Sequence, residues 1–158
     1  VQLYFANTDW PYNNAKYFRI KNKNAEPGKQ KWNFVLWDMD FAYGYNGPDA
    51  KNYDMFNHLI VSGGNTADLF KGLLHNREFK KILAVRLDSL LKGPLMTDNQ
   101  LALIQSYRLT YLPEIKDHIK RWRKPASVEK WEENIEVFVD FANHREAVLR
   151  KQMKEYLE

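Results

Sequence analysis

The chain has no cysteine, which removes disulfide bonds, thiolate metal sites and a cysteine nucleophile from consideration while leaving the compartment open. It has no apolar run near the roughly 18 residues that crossing a bilayer requires, so no membrane span is expected. No charged-then-apolar leader opens it, and Val1 stands where an initiator methionine would. His58, His75, His118 and His144 show no H-x-x-x-H spacing, and read as surface or internally satisfied side chains rather than zinc ligands. There is no glycine-rich G-x-G-x-x-G phosphate loop, no internal repeat and no low-complexity tract. Excess charge is also small: 24 basic and 20 acidic residues are interspersed, for a net +4. That is ordinary surface chemistry, and no nucleic-acid partner is expected. The one basic cluster, Lys116, Lys120, Arg121, Arg123 and Lys124 around Trp122, reads as a solvated helix end complementing the helix dipole.

What is present is a folded, aromatic-rich protein of 158 residues, 44% hydrophobic and 15% aromatic. That length suits one domain with a real core. A single domain over 1–158 is expected, with a loop and hairpin region over 1–65 and a helical body over 66–158. The first residues, Val1-Gln2-Leu3-Tyr4-Phe5-Ala6, begin abruptly in apolar side chains, as though the chain entered in the middle of an element. A piece of a longer protein is therefore expected.

The front of the chain reads as β. Lys16 to Ile20 predicts a short strand, Lys21 to Gln30 a polar loop containing Pro27-Gly28, and Lys31 to Trp37 the partner strand, with Phe34 to Trp37 as a buried run. Tyr43 to Gly64 reads as a long irregular loop with one helical turn around Tyr53 to Ile60. Beyond it the apolar spacing is helical. Thr66 and Asn76 are placed as caps of two helices, Gly93-Pro94 as a stop, and Thr97 with Gln100 as a capping box. Pro113 is read as an interruption, Pro125 as an end and Ser127 as a start, with a further capping box at Asn143 and Glu146. The fold class predicted is mainly α with a small β-hairpin.

The chemistry concentrates in the front. Asp9 and Asn14 lie five residues apart in a turn-prone loop, Asn7-Thr8-Asp9-Trp10-Pro11-Tyr12-Asn13-Asn14, and the second strand runs into Trp37-Asp38-Met39-Asp40 with Gly44 four residues on. A hairpin would bring the exit of the second strand, at Asp38, close to Asn14 at the entrance of the first. The order of aspartate, asparagine at plus five, strand and acid is the logic of a kinase-type phosphotransfer site. That reaction needs one carboxylate to accept a hydrogen bond from the attacking hydroxyl. It also needs an amide oxygen and a second carboxylate to hold a divalent cation against nucleotide phosphates, and Mg²⁺ or Mn²⁺ prefers such hard oxygens.

These residues resemble the spore coat protein H (CotH) kinase family over most of the chain. The resemblance is carried by N-x-D-x-P-x-N-N, the hairpin, W-D-x-D-x-x-x-G, and the later Leu74-His75-Asn76-Arg77-Glu78-Phe79 and Phe141-Ala142-Asn143-His144-Arg145. It implies an atypical protein-kinase-like fold that transfers phosphate from ATP to protein hydroxyls, often in exported or cell-surface proteins. Carried onto matching positions, Asp9 resembles the catalytic aspartate, Asn14 the metal-binding asparagine and Asp38 the metal-binding acid. Asp40 is a nearby second acid whose role stays open. The chain departs from ordinary protein kinases in having Thr8 before the aspartate, a longer gap from Asn14 to Asp38, and no phosphate loop or covering lysine. It is thus expected to be the C-terminal lobe of such a domain, inactive by itself.

Other readings of the same residues stand beside this one. Asp9, Asn13 and Asn14 are also good turn-capping residues, and Asp38 and Asp40 suit ion pairs with Lys16 or Arg19. A non-catalytic kinase-like module could bind a coat or polysaccharide, with Trp10, Trp32, Trp37, Tyr43 and Tyr45 lining a groove. A two-acid hydrolase could use Asp9 with Asp38 or Asp40, and its carboxylate separation would decide it.

Overall fold

The computed structural model describes residues 1–21, 26, 30–45 and 47–158. The Pro27-Gly28 turn therefore lies outside the described residues, as does Asn46. The chain is mainly helical with one antiparallel hairpin. It runs through α1 (Gln2–Phe5), β1 (Lys16–Phe18), β2 (Asn33–Val35), a 3-10 turn (Pro48–Asn52), α2 (Met55–Val61), α3 (Asn65–Leu74), α4 (Arg77–Leu91), α5 (Thr97–Tyr111), a second 3-10 turn (Leu112–Glu114), α6 (Ile115–Trp122) and α7 (Val128–Leu157).

The organising element is α7. Ser127 caps it by accepting from the Lys130 amide, and neither proline nor glycine interrupts the 30 residues that follow. The capping box expected at Asn143 and Glu146 does not form, because a continuous helix already satisfies the amides there. Phe141 and Leu149 of α7 pack with Tyr4, Phe56, Leu59, Leu87 and Leu91 into the main core. At the core's centre lies Arg145, fully buried. Its guanidinium donates to the carbonyl oxygens of Leu3 and Tyr4 at 2.7 Å each, and of Lys51 and Tyr53 at 2.9 and 2.8 Å. Burial pulls its pKa down to about 10, which leaves it charged at neutral pH. Four carbonyl acceptors offset that desolvation and tie α1 and the Pro48–Asn52 turn to α7. Bidentate Arg108–Glu132, at 2.7 and 2.8 Å, fastens α5 to the same helix.

Most predicted punctuation is observed. Asn76 caps α4 through the Phe79 amide, α4 ends before Gly93-Pro94, and Pro113 sits in the 3-10 turn between α5 and α6. The helical turn expected around Tyr53 to Ile60 is α2, capped by Asp54, and a 3-10 turn precedes it. Two readings change. Gly64 rather than Thr66 precedes α3, without a side-chain cap. Thr97 and Gln100 do not box the start of α5: Thr97 Oγ1 donates to Ala142 O, and buried Gln100 joins Pro94 O to the Tyr43 hydroxyl.

The hairpin corrects the reading of a buried strand. Phe34, Val35, Leu36 and Trp37 are 56%, 38%, 58% and 46% exposed, because among the described residues no second layer covers the two strands. With Lys16 opposite Val35 and Tyr17 opposite Phe34, the apolar side chains pack on one another instead. The Tyr17 ring meets Trp32 at 5.4 Å and Phe34 at 5.8 Å. Cations cover the indoles: Arg19 over Trp32 at 5.1 Å and Lys16 over Trp37 at 3.1 Å.

Candidate functional site

The site lies where the loop after α1 meets the segment leaving β2. Helix α1 ends at Ala6 in the left-handed conformation, and the chain turns into Asn7-Thr8-Asp9. Three hydrogen bonds hold this turn against the second segment: Tyr43 N to Phe5 O at 2.7 Å, Thr8 N to Phe41 O at 3.4 Å, and Asn7 Nδ2 to Asp38 O at 3.4 Å. A stack of rings reinforces the junction, with Tyr43 lying 5.0 Å from both Phe5 and Phe141. Gly44 follows with φ +90, and a Cβ there would come 2.8 Å from Val137 Cγ1. That close approach explains why the motif ends in glycine.

Asp9 is held on both carboxylate oxygens. Asn13 Nδ2 donates to Oδ1 at 2.8 Å and Asn14 Nδ2 to Oδ2 at 2.6 Å. The two amides restrain rotation of the side chain, and the Asp9 backbone N–H donates to Asn7 Oδ1 at 3.2 Å, which fixes the backbone that carries it. A carboxylate has about four lone-pair directions, and two amide donors leave acceptor capacity free. The clamp also orients Asn14: its amide nitrogen is committed to Asp9, so its carbonyl oxygen is the end available to a cation.

Met39 lines an apolar cavity of about 640 Å³ between α5 and α7, with Tyr43, Leu103, Ile104, Ile135 and Phe138, while Asp38 and Asp40 are both solvent-exposed. The Asp38 carboxyl is pushed above the ordinary carboxylate range by partial desolvation, by the charge of Asp40 and a hydrogen bond with it, and by the charge of Asp9. Lys16 acts the other way. A divalent cation would relieve this repulsion.

Two of the predicted residues share backbone strain. Asn14 has φ 56 and Asp38 has φ 47, the left-handed region, which costs non-glycine residues about 1 kcal/mol or more. Both stand at one end of the hairpin, Asn14 just before the ladder that starts at Lys16 and Asp38 just after the one that ends at Val35. The structure therefore joins Asp9 to Asn14 directly and the Asp9 backbone to the Asp38 backbone through Asn7, with the charge of Asp40 acting on Asp38. Among the described residues no cluster of three or more His, Cys, Asp or Glu has metal-holding geometry. Residues that could contribute oxygens to a Mg²⁺ shell completed by water are Asp38, Asp40 and Asn14.

Two positioning groups carried no role in the sequence reading. Asn7 was legible only as the first letter of its motif. His58, read as a surface or internally satisfied histidine, has both ring nitrogens engaged: Nε2 lies 2.9 Å from Trp10 O and Nδ1 3.0 Å from the Tyr53 hydroxyl, so α2 grips the residue after Asp9. No sequence spacing links position 58 to position 10.

A family model described as CotH kinase protein matches residues 1–149. No curated protein and no solved structure matches the chain.

Proposed function

The chain belongs to the CotH kinase protein family, and on that footing we propose that it forms the C-terminal, metal-holding lobe of a protein phosphotransferase. ATP is the donor and a protein hydroxyl the acceptor. The observation that carries this reading is the Asp9–Asn14 clamp at the same end of the hairpin as the Asp38–Asp40 pair. Asp9 accepts the hydrogen bond of the attacking hydroxyl and orients its oxygen. The new bond forms from that oxygen to the γ-phosphorus, the bond to the bridging oxygen of ADP breaks, and the hydroxyl proton passes to Asp9 or solvent. Asn14 and Asp38 would hold Mg²⁺ or Mn²⁺, which neutralises phosphate charge when bound, and Asp40 is the candidate additional ligand. These 158 residues contain no glycine-rich phosphate loop, so covering the phosphates falls to another segment, and the chain alone is expected not to turn over. Incubating the full-length protein with radiolabelled ATP, Mg²⁺ or Mn²⁺ and candidate acceptor proteins tests the reading. Metal-dependent label on protein hydroxyls supports it; no transfer with either metal overturns it.

The hairpin favours a second reading, a non-catalytic module that binds a coat or polysaccharide. Tyr17, Trp32 and Phe34 are more than half exposed, and Lys16, Arg19, Lys21, Lys23, Lys29 and Lys31 stand against Glu26 alone over 16–37, more than the whole chain's excess of +4. This suits an anionic partner. Binding of anionic polysaccharide without phosphate transfer would favour it.

A further inference from the structure

Among the described residues, Asn7 is the side chain that hydrogen-bonds both halves of the site, and it is completely buried. Its Oδ1 accepts from the Asp9 amide at 3.2 Å. Its Nδ2 donates to the Asp38 carbonyl at 3.4 Å and approaches Met39 Sδ at 3.6 Å. We propose that Asn7 is a positioning residue that sets the separation and orientation of Asp9 relative to Asp38. The inference rests on the phosphotransfer reading for what that separation serves, and on the hydrogen bonds alone for the separation itself.

The chemistry of the position explains the residue type. One short side chain must present an acceptor to one strand of backbone and a donor to the other, and asparagine has both ends on a single amide. Aspartate supplies the acceptor but no donor, and its charge would stand against the Asp38 carbonyl beside two carboxylates. Leucine has the shape and neither bond. The left-handed Ala6 immediately before it fixes the direction from which the amide enters. The other links between the two segments, Thr8 N to Phe41 O and Tyr43 N to Phe5 O, are backbone bonds. They survive substitution at Asn7, so they hold the segments together while Asn7 fixes the register of the two acids. Asp38 has positive φ, and a strained residue keeps its conformation only when its surroundings hold it. The bond to its carbonyl is such a hold.

Asn7→Leu and Asn7→Asp in the full-length protein separate the two bonds. Amide hydrogen exchange resolved at residues 7–10 and 38–43 is read first, with the Tyr43 amide as the control for an intact junction. In Asn7→Leu the Asp9 amide is expected to exchange at least about tenfold faster while Tyr43 is unchanged. In Asn7→Asp, Asp9 stays protected and exchange rises over 38–41. In both, kcat for phosphate transfer is expected to fall about 100-fold with KM for the acceptor nearly unchanged, as for a misplacement of reacting groups by about an ångström. Wild-type exchange in both variants, or kcat within about threefold of wild type, overturns the proposal. If the wild-type protein transfers no phosphate, the reaction reading fails, and exchange alone still decides whether Asn7 positions the acids.

Discussion

Asn14 gives its Nδ2 hydrogen to Asp9 Oδ2 across 2.6 Å while its own backbone holds φ 56. The residue thus loses backbone energy to place an amide against a carboxylate. Asn14→Gly removes both terms: the strain, about 1 kcal/mol, and the hydrogen bond, about 1 kcal/mol. Stability by urea titration is expected to stay within about 1 kcal/mol of wild type while phosphate transfer falls at least about 100-fold. A residue kept only to cap a turn would show no such split.

The Asp38–Asp40 pair sets a pH dependence. The folded-state pKa of Asp38 is raised, so the folded state binds more protons than the unfolded state above the ordinary carboxylate range. The associated stability is present below the unfolded pKa and is lost as pH rises through the folded one. Asp40→Asn removes the main opposing charge. The metal-free variant is expected to melt above wild type at pH 7, with the gain disappearing toward pH 3. A gain that is constant with pH would assign the effect to packing.

Gly44 faces two penalties at once. Alanine there meets the cost of φ +90 and a Cβ 2.8 Å from Val137 Cγ1, together about 2–3 kcal/mol. Val137→Ala opens the steric half only. In a double-mutant cycle Gly44→Ala is expected to be partly rescued by Val137→Ala, and full additivity would show that the contact is not limiting.

Arg145 is the stability prediction. Arg145→Met leaves up to four buried carbonyls without their donor and should cost about 3–5 kcal/mol by denaturant titration. For a chain of this size that lowers Tm by roughly 10 °C. A loss under about 1 kcal/mol would mean that water replaces the guanidinium.

Legibility in the sequence followed locality. Asn76, Ser127, Gly93-Pro94 and Pro113 act on neighbours within a few residues, and the helices they bound are where the spacing put them. The sequence placed Asp9 and Asn14 in one turn-prone loop, and the bond between them spans five residues. The pairing of Asn143 with Glu146 failed because a capping-box pattern inside a helix has no free amides to satisfy. Phe34 to Trp37 read as buried because apolar runs usually are, and whether a sheet gains a covering layer is a tertiary fact no window of residues contains. Asn7 to Asp38, His58 to Trp10 and Arg145 to Leu3 join distant positions, and single-sequence spacing does not reach them.

Phosphate transfer from radiolabelled ATP, measured for the full-length protein beside its Asp9→Asn, Asn14→Ala and Asp38→Ala variants at saturating Mn²⁺, tests the central claim most directly. The site described predicts metal-dependent transfer by wild type and a loss of at least about 100-fold in each variant, with melting temperatures preserved within a few degrees. Transfer by Asp38→Ala at the wild-type rate would contradict it.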